Sequence, residues 1–283
     1  MNNEQERIRF FIFDVESIAD ASLIAQIRHP GENIEPSEAL RLYRNELIEK
    51  KGTDFIPYTF QLPISLALMK VRYDYSLNDL IVLKTEDGGP KQICERFWKG
   101  WAYYQNPTFV TFNGRGFDVP LLELTAFRYG ISIPDWMNYG AKAYDQARNR
   151  YNMERHFDIN DFLSNNGATH FTGGLNLASK ILKKPGKIET QGDMVQDMFD
   201  AGSLNEIHQY CRCDVLDTYF VFLRTMLICG KISLEQETEL INFAKNWLQE
   251  KAPEEPIYQT YLDAWAQQEA CPETNFQSPN APN

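Results

Sequence analysis

The feature that most constrains this sequence is an apolar run near its start that carries two acids, Asp14 and Glu16. Residues 10–16 read FFIFDVE. The segment Arg9–Val15 is dominated by Phe, Ile and Val, which favours a strand buried on both faces. Helices must cover both sides of such a strand, so the run indicates an α/β protein with a largely buried sheet.

The two acids of this run are expected to lie side by side. Successive side chains of a strand alternate, so Asp14 and Glu16 project to one face, about 7 Å apart along the chain. Two like charges this close repel and raise each other's pKa, and a cation between them removes that cost. Carboxylate oxygens are hard ligands that suit Mg²⁺ or Mn²⁺. A single D-x-E pair at a strand end more commonly faces solvent, so a metal site needs further acids elsewhere in the chain.

Size and charge limit the class of protein. The 283 residues, of which 43% are hydrophobic, suit one large domain or one domain with an insertion. The net charge of -11 argues against broad, non-specific coating of nucleic acid, but it is compatible with a nuclease that has local basic patches. The sequence contains no run of 18 apolar residues, so no membrane span is predicted. The first residues lack the apolar core of a signal peptide.

The cysteines indicate a reducing compartment. There are five, an odd number without the spacing of a disulfide framework, which favours a cytoplasmic protein. Cys211 and Cys213 form a C-x-C pair that could bind zinc. Because no second Cys or His pair lies close by in the sequence, two buried thiols are the favoured interpretation.

The order of elements predicts an α/β sheet with helical packing in a single domain over residues 1–269, with an insertion at about 17–60 and a disordered tail at 270–283. After the first strand, strands are predicted at 64–73, 80–84 and 108–112, with a short strand-like segment at 156–163. Helices are predicted at 36–51, 90–104, 119–129, 175–182, from 203 to before 230, and from 233 to 251. Two capping boxes, Ser203–Glu206 and Ser233–Gln236, open the last two helices.

Two later stretches carry acids that could join the first pair. In residues 111–123, TFNGRGFDVPLLE, Asp118 sits where a helix starts, and an N-cap role is the alternative to a site role. In residues 210–220, YCRCDVLDTYF, Tyr210 and Asp214 are four apart on an apolar helix and share a face, with Asp217 close to it. A buried acid must be paired or bind a metal. A partly exposed acid beside a core tyrosine is the alternative.

Taken in order, the three stretches resemble the exonuclease motifs of the DEDD superfamily. The pattern is D-x-E on the first strand, N-x-x-x-F-D in the middle and Y-x-x-x-D on a late helix. FDVE carries the first motif, Asn113, Phe117 and Asp118 match the second, and Tyr210 and Asp214 match the third. The second and third motifs are similar to those of the proofreading exonuclease domain of family-B DNA polymerases. The chain most resembles a stand-alone branch of that group, which lacks a polymerase domain.

The last motif selects the tyrosine branch of that superfamily. The histidine branch has H-x-x-x-x-D, and His208 would then need an acid at position 213, where this chain has Cys213. The resemblance implies an RNase H-like (DnaQ-like) fold, a mixed central sheet flanked by helices with a helical C-terminal part.

The resemblance also implies a chemistry. Asp14, Glu16, Asp118 and Asp214, which we call the four acids, would hold two divalent ions, Mg²⁺ or Mn²⁺, with Asp14 bridging. Tyr210 would orient the attacking water and complete the catalytic set. Asn113 and Phe117 would bind substrate, Phe117 by stacking on terminal bases, with core packing as its alternative role. The expected activity is 3′–5′ hydrolysis of single-stranded DNA that releases nucleoside 5′-monophosphates.

Several alternatives stay open at this point. The metal site does not read the 2′-hydroxyl, so a 3′–5′ exoribonuclease is one alternative. A non-enzymatic nucleic-acid-binding protein on the same fold and a helical interaction module at 200–269 are the others. Proofreading would need a polymerase or repair protein as a partner in trans, and the sequence does not identify such a partner.

Further polar residues have weaker assignments. The resemblance places both Asp158 and Asp161 near the site but outside the four acids; Asp158 is a candidate for direct catalysis, and Asp161 is not expected to take part. Seven cations are candidate phosphate contacts, although a solvated surface is the favoured interpretation for most. They are Arg148, Arg150, Arg155, Lys180, Lys183, Lys184 and Lys187.

Overall fold

The strands form one five-stranded mixed sheet with the order β3-β2-β1-β4-β5. The computed structural model describes residues 6–187 and 194–271. β2 runs antiparallel to both β1 and β3, whereas β4 runs parallel to β1 and to β5. The strands are β1 (Ile8–Ala19), β2 (Gln61–Arg72), β3 (Leu77–Lys84), β4 (Thr108–Thr111) and β5 (His156–Asp158).

The central strand β1 is longer than the sequence indicated. We expected it to end near Val15, but it continues through both acids to Ala19, because the antiparallel partner β2 pairs with it as far as Gln61. On its other edge the parallel pairing with β4 covers only Phe10–Ile12. The two acids of β1 therefore lie beyond the last residue that pairs with β4, where that edge of the strand is open to other elements.

Both faces of the sheet are covered, which confirms the α/β prediction. On one face, Phe11 and Phe13 pack in a buried cluster with residues of α3 and α4. On the other face, Phe10 and Ile12 pack in a cluster dominated by α8. The helices are α1 (Ala21–Arg28), α2 (Pro36–Lys51), α3 (Gly89–Tyr103), α4 (Asp118–Tyr129), α5 (Ile159–Leu163), α6 (Gly174–Ile181), α7 (Val195–Asp200), α8 (Leu204–Ile228), α9 (Leu234–Lys251) and α10 (Ile257–Ala270).

The ends of several elements follow the sequence signals. α2 spans the residues predicted for it and ends at Gly52, which has a left-handed conformation with φ of 70°. Ser233 caps α9 in a complete capping box with Gln236. The capping box predicted at Ser203 is wrong, because the Ser203 side chain makes no cap hydrogen bond.

Three helices and one boundary differ from the prediction. The helices α1, α7 and α10 were not anticipated, and the strand-like segment 156–163 is a three-residue strand followed by the short helix α5. Asp158 ends that strand and caps α5 by accepting a hydrogen bond from the Asn160 backbone N–H. Most of the tail predicted to be disordered, from residue 272 on, lies outside the described residues.

Residues 17–60, which we call the insertion, have a small core of their own. α1 and α2 bury Ile24, Tyr43 and Leu47 against each other, and Ile56 from the following loop completes the cluster. The Gln61 side chain accepts a hydrogen bond from the Ser17 hydroxyl at 2.5 Å and donates one to the Ile56 carbonyl at 2.7 Å. These contacts fix the end of the insertion against β1. The division of the chain into one domain with this insertion stays a prediction.

No helix in the described ranges 6–187 and 194–271 has the length and apolar character needed to cross a bilayer.

The C-terminal helices pack on the core of the fold, and a substitution at Trp265 of α10 tests this. Its side chain is 1% exposed and its ring centroid lies 4.7 Å from that of Phe220 on α8. We expect Trp265→Ala to lower the free energy of unfolding by about 3–5 kcal/mol, because truncating a buried aromatic leaves a cavity. Denaturant unfolding followed by far-UV circular dichroism measures this.

Phe127→Ala is the matched control, since Phe127 is 85% exposed and its truncation should change the unfolding free energy by less than about 0.5 kcal/mol. Equal losses in the two variants would show that α10 does not stabilise the sheet domain.

Candidate active site

The side chains singled out in the sequence meet in one pocket, which we call the site pocket. It has a volume of about 540 Å³ and opens beside the end of β4. β1 contributes Asp14 and Glu16, the first turn of α4 contributes Asp118, and α8 contributes Tyr210 and Asp214. The pocket lining includes all of the predicted site residues: Asp14, Glu16, Asn113, Phe117, Asp118, Tyr210 and Asp214.

The loop between β4 and α4 brings Asp118 to β1. Gly114 packs so closely against the preceding strand that an added Cβ would lie 2.5 Å from Thr111 Oγ1, so only glycine fits there. Its carbonyl accepts a hydrogen bond from the Val119 backbone N–H at 2.9 Å, which starts the helix. Asp118 Oδ1 then accepts from the Val15 backbone N–H at 3.1 Å. Asp118 thus reaches across to β1, and the alternative N-cap role is wrong because Phe117 occupies the cap position.

Tyr210 and Asp214 share one face of α8, as their spacing predicts. Both side chains line the site pocket. Asp217 is also buried, but it does not line the site pocket. It accepts a hydrogen bond from the Tyr261 hydroxyl at 2.7 Å and so ties α8 to α10. The sequence predicted Asp217 close to the face of Tyr210 and Asp214, but its contact with Tyr261 lies outside the site pocket and is structural.

Burial raises the pKa of every one of the four acids, and repulsion by neighbouring carboxylates adds to this for Glu16, Asp118 and Asp214. Removal from bulk water raises the pKa of Asp14 to about 6. Burial, followed by the charge of neighbouring carboxylates, raises the pKa of Glu16, Asp118 and Asp214 well above the ordinary range. The charge of Asp14 contributes to the raised pKa of each of the other three. Asp14 therefore interacts electrostatically with each of the other three acids.

Two neighbours modify this cluster. The charge of Lys187 partly offsets the raised pKa of Asp14 and of Asp214. Its Nζ lies 5.8 Å from the Tyr210 ring centroid. Burial and the surrounding carboxylates raise the pKa of Tyr210, so its hydroxyl keeps its proton at neutral pH. One lysine cannot neutralise four carboxylates, which leaves an excess of negative charge in the pocket.

The donor set fits hard divalent cations. Ligand atoms of Asp14, Glu16 and Cys211 lie within 4.8 Å of one another, and the remaining acids face the same pocket. Carboxylate oxygens are the ligands that Mg²⁺ and Mn²⁺ prefer, and a bound cation would relieve the repulsion that raises their pKa. The cluster therefore fits a divalent metal site.

Cys211 supports Asp14 rather than competing with it as a ligand. Its buried thiol has a raised pKa, donates to the Asp14 carbonyl at 3.3 Å, and lies 3.7 Å from Asp14 Oδ2. Its sulfur accepts from the Ala67 backbone N–H at 3.2 Å. Both cysteines of the C-x-C pair are free and buried, as expected. The contact between Cys211 and Asp14 was missed, because nothing in the sequence links a thiol of α8 to a strand 197 residues earlier.

Asn113 and Phe117 lie at the mouth of the site pocket. Asn113 is exposed and has a left-handed backbone with φ of 66°. Phe117 is half-buried, and its ring centroid lies 5.6 Å from that of Phe55 in the insertion. Phe55 and Arg44, both from the insertion, line the pocket and were not anticipated.

Asp158 and Asp161 organise loops. Asp158 accepts hydrogen bonds from the backbone N–H groups of Asn113 at 2.9 Å and Arg115 at 2.8 Å. Asp161 pairs with Arg115 at 3.4 Å and with Arg150 at 3.1 Å. Neither acid lines the site pocket, so the direct catalytic role considered for Asp158 is not supported and its role is to hold the loop of Asn113.

Several candidate phosphate contacts are already occupied. Arg148 pairs with Glu123 at 2.8 Å, and Lys184 is buried with its Nζ 4.1 Å from the Trp265 ring centroid. Lys187 is exposed beside the four acids and is the member of this set that acts on them. His208 does not line the site pocket; it hydrogen-bonds Ser65 and Glu86.

Comparison with known proteins agrees with this geometry. A family model described as "Predicted 3'-5' exonuclease related to the exonuclease domain of PolB" matches residues 53–265. The fold is similar to that of the family B DNA polymerase from the hyperthermophilic archaeon Pyrobaculum calidifontis, with a TM-score of 0.50 and 13% identity. The match covers 78% of this chain but 24% of the polymerase. It confirms the RNase H-like fold. No curated protein matches the sequence significantly.

The four acids predict how stability depends on pH without metal. A carboxyl whose pKa is raised on folding is neutral in both states at low pH, and it destabilises the fold increasingly as the pH rises from its ordinary pKa through its folded pKa. For Asp14 that range runs from 3.8 to about 6, and for Glu16 it extends further. We expect Glu16→Gln to raise the melting temperature in EDTA by an amount that grows from pH 4 to pH 8, reaching about 2 °C or more.

Thermal unfolding of both proteins across this pH range provides the measurement. Glu250→Gln, which alters an exposed carboxyl of α9, should follow the wild type at every pH. Added Mg²⁺ should remove the advantage of Glu16→Gln. An advantage that shrinks as the pH rises in EDTA would contradict the repulsion described above.

Proposed function

This chain belongs to the family of predicted 3′–5′ exonucleases related to the exonuclease domain of PolB, and we propose that it hydrolyses single-stranded DNA from the 3′ end, releasing nucleoside 5′-monophosphates. The observation that carries this proposal is the convergence of the four acids and Tyr210 on one pocket. The family is one of nucleases, which argues against a purely non-enzymatic role. Polymerase activity is not part of the proposal, because the fold match covers 24% of the polymerase chain.

The four acids would hold two divalent ions, Mg²⁺ or Mn²⁺, which when bound stabilise both the attacking and the leaving oxygen of a phosphodiester. We assign the shared-ligand role to Asp14. Its ligand atom lies within 4.8 Å of that of Glu16, and it lines the same pocket as Asp118 and Asp214, which supports this assignment. The hydrogen bond from the Val15 N–H fixes the Asp118 carboxylate, and the hydrogen bond from the Cys211 thiol fixes the backbone carbonyl of Asp14, before substrate arrives.

Tyr210 is proposed to orient the attacking water. Its hydroxyl oxygen faces the pocket that Asp214 also lines, where it can accept a hydrogen bond from a water. Because its pKa is raised, the hydroxyl cannot act as a general base at neutral pH. Its contribution is therefore positional.

Asn113 and Phe117 are proposed to hold the 3′ end of the substrate. Both lie at the mouth of the site pocket, where Phe117 presents a half-buried ring and Asn113 an exposed amide. Base stacking on an aromatic ring contributes about 1–3 kcal/mol and tolerates any sequence. A bare strand end can reach such a ring, whereas a paired end must first separate. This supports a single-stranded substrate.

The first test is the removal of Asp14. We expect Asp14→Asn to lower turnover by about 10³-fold or more, because a shared ligand stabilises charge in the transition state and each 1.36 kcal/mol is worth tenfold in rate. The assay follows 5′-labelled DNA and RNA oligonucleotides of matched sequence with Mg²⁺, Mn²⁺ or EDTA. Shortening from the 3′ end that needs a divalent ion and favours DNA is the expected result.

Asp145→Asn, which changes an exposed acid outside the site pocket, should degrade DNA at the wild-type rate. Activity that persists in EDTA, or a 5′ label released first as a mononucleotide, would overturn the proposal. Faster degradation of RNA would replace the substrate by its ribonucleotide counterpart.

The second test separates positioning from metal binding. Tyr210→Phe keeps the ring and removes the hydroxyl, so we expect single-turnover rates to fall by about 10–10³-fold while the affinity for Mn²⁺ stays near that of the wild type. Asp214→Asn should lower both the rate and the Mn²⁺ affinity. Calorimetric titration with Mn²⁺ and single-turnover kinetics on the same proteins make the comparison.

Tyr219→Phe is the matched control on α8. The Tyr219 hydroxyl donates to the Tyr75 carbonyl at 3.0 Å, away from the site pocket, so its loss should cost about 1 kcal/mol of stability and leave turnover unchanged. Normal turnover in Tyr210→Phe would reduce Tyr210 to a packing residue.

A further inference from the structure

The insertion forms one wall of the site pocket. Arg44 comes from α2, and Thr53, Asp54, Phe55 and Ile56 come from the loop that leads from α2 back to the sheet. The opposite walls are formed by β1, by the loop before α4 and by α8. The insertion is therefore placed to touch whatever enters the pocket, although it supplies none of the four acids.

Arg44 has no hydrogen-bond or ion-pair partner among residues 6–187 and 194–271. Its Nε is buried and makes no hydrogen bond, and no ion pair joins Arg44 to an acid in the described part of the chain. The contrast with Arg41, one turn earlier on α2, is direct, since Arg41 makes two hydrogen bonds to Glu38 at 2.8 and 2.6 Å. The residue is partly exposed, so water reaches the rest of the guanidinium, but the buried and unsatisfied Nε is costly and an anionic ligand in the pocket would satisfy it.

The chemistry of the pocket narrows the choice of anion. The four acids repel any anion, carboxylate or phosphate, until divalent ions neutralise them, and the proposed function brings a nucleic-acid strand to this pocket. A phosphodiester is attracted both by such ions and by Arg44, and the planar guanidinium fork matches two phosphate oxygens. A phosphate of the substrate strand is therefore the anion that best suits the position of Arg44.

Phe55 supplies an apolar surface next to this charge. Its side chain is 57% exposed although the residue after it, Ile56, is 3% exposed in the core of the insertion. The Phe55 ring is tilted by 55° against the Phe117 ring at a centroid distance of 5.6 Å. Two aromatic rings that meet at a pocket mouth with one face left open present a stacking platform for a base.

Arg44 and Phe55 are held in place by their neighbours. Tyr43 and Ile56, which flank them in sequence, are buried together in the core of the insertion. The Gln61 side chain binds the Ile56 carbonyl and the Ser17 hydroxyl, which joins the loop to β1. The two side chains are thus presented to the pocket by a wall that is itself fixed to the strand of the acids.

We propose that the insertion forms a nucleotide-binding subsite of the site pocket, in which Arg44 pairs with a phosphate of the substrate strand and Phe55, together with Phe117, stacks on a base near the 3′ end. This inference rests on the proposed function, because it assumes that a nucleic-acid strand enters the pocket. It gives the insertion a direct part in holding substrate.

Binding measurements test the subsite apart from catalysis. The variants Arg44→Met and Phe55→Ala are made in the Asp14→Asn background, with Arg41→Met as the matched control. Fluorescence anisotropy with Mg²⁺ measures the affinity for a single-stranded DNA oligonucleotide and for three versions, each with a neutral methylphosphonate at one of the last three linkages. A fourth version lacks the bases of the last two nucleotides.

We expect Arg44→Met to weaken binding of the all-phosphate strand by about 10–100-fold, the range of a hydrogen bond to a charged group. The loss should disappear for the one strand whose methylphosphonate replaces the phosphate that Arg44 contacts. Phe55→Ala should weaken binding by about tenfold, and this loss should disappear for the strand without terminal bases. Arg41→Met should bind every strand like its parent.

Wild-type-like binding by Arg44→Met would overturn the subsite. An equal loss for the all-phosphate strand and all three methylphosphonate versions would also overturn it, since a general loss of structure weakens all strands alike. The wild-type degradation assay runs in parallel. If the wild type degrades the strand and Arg44→Met shows no linkage-specific loss, the subsite fails while the proposed function stands. If the wild type neither binds nor degrades single strands, both fail.

Discussion

The repulsion among the four acids, of which Asp14 is partly buried and the other three are buried, is the interaction on which the rest of this structure depends. Three separate elements bring them together, and each element is fixed elsewhere in the fold. β1 is anchored by Phe11 and Phe13 on one face and by Phe10 and Ile12 on the other. Such a cluster could not persist on a loosely packed scaffold, because the acids would move apart or remain protonated. The deep burial of β1 and α8 is what holds the negative charge in one place.

The position of the cluster follows from unequal strand lengths. β4 pairs with β1 over only three residues, whereas β2 follows β1 to its end. One edge of β1 is therefore open where Asp14 and Glu16 lie, and the helices α4 and α8 deliver the remaining acids there. The insertion then returns to the same edge and adds a cation and an aromatic ring, so the pocket combines groups for a metal with groups suited to a nucleotide.

Much of this could be predicted because it is local. The shared face of Asp14 and Glu16 follows from strand alternation, and that of Tyr210 and Asp214 from helical periodicity. Asp118 was placed by resemblance to a family motif, since its own surroundings suited an N-cap equally well. α2 was found with its full extent because proline, charge pattern and glycine agree at its ends.

What the sequence did not reveal depends on contacts between distant segments. The strand β1 runs past its acids because β2 continues to pair with it. Ser203 has a ψ of 49° and makes no cap hydrogen bond. Cys211 meets Asp14, and Phe55 meets Phe117, only in the folded chain. Arg44 was indistinguishable in the sequence from any exposed arginine of a charged helix. Its significance lies in the buried Nε that has no partner in the described part of the chain, which a sequence does not display.

The most direct test of the central claim, that the four acids together form a divalent-metal site, is the anomalous scattering of Mn²⁺ in crystals of the protein soaked with MnCl₂ and a nucleoside 5′-monophosphate. The account predicts two peaks in the site pocket, each within about 2.5 Å of carboxylate oxygens, with Asp14 contacting both. Crystals that show full occupancy of Mn²⁺ at other acids, and none among Asp14, Glu16, Asp118 and Asp214, would contradict it.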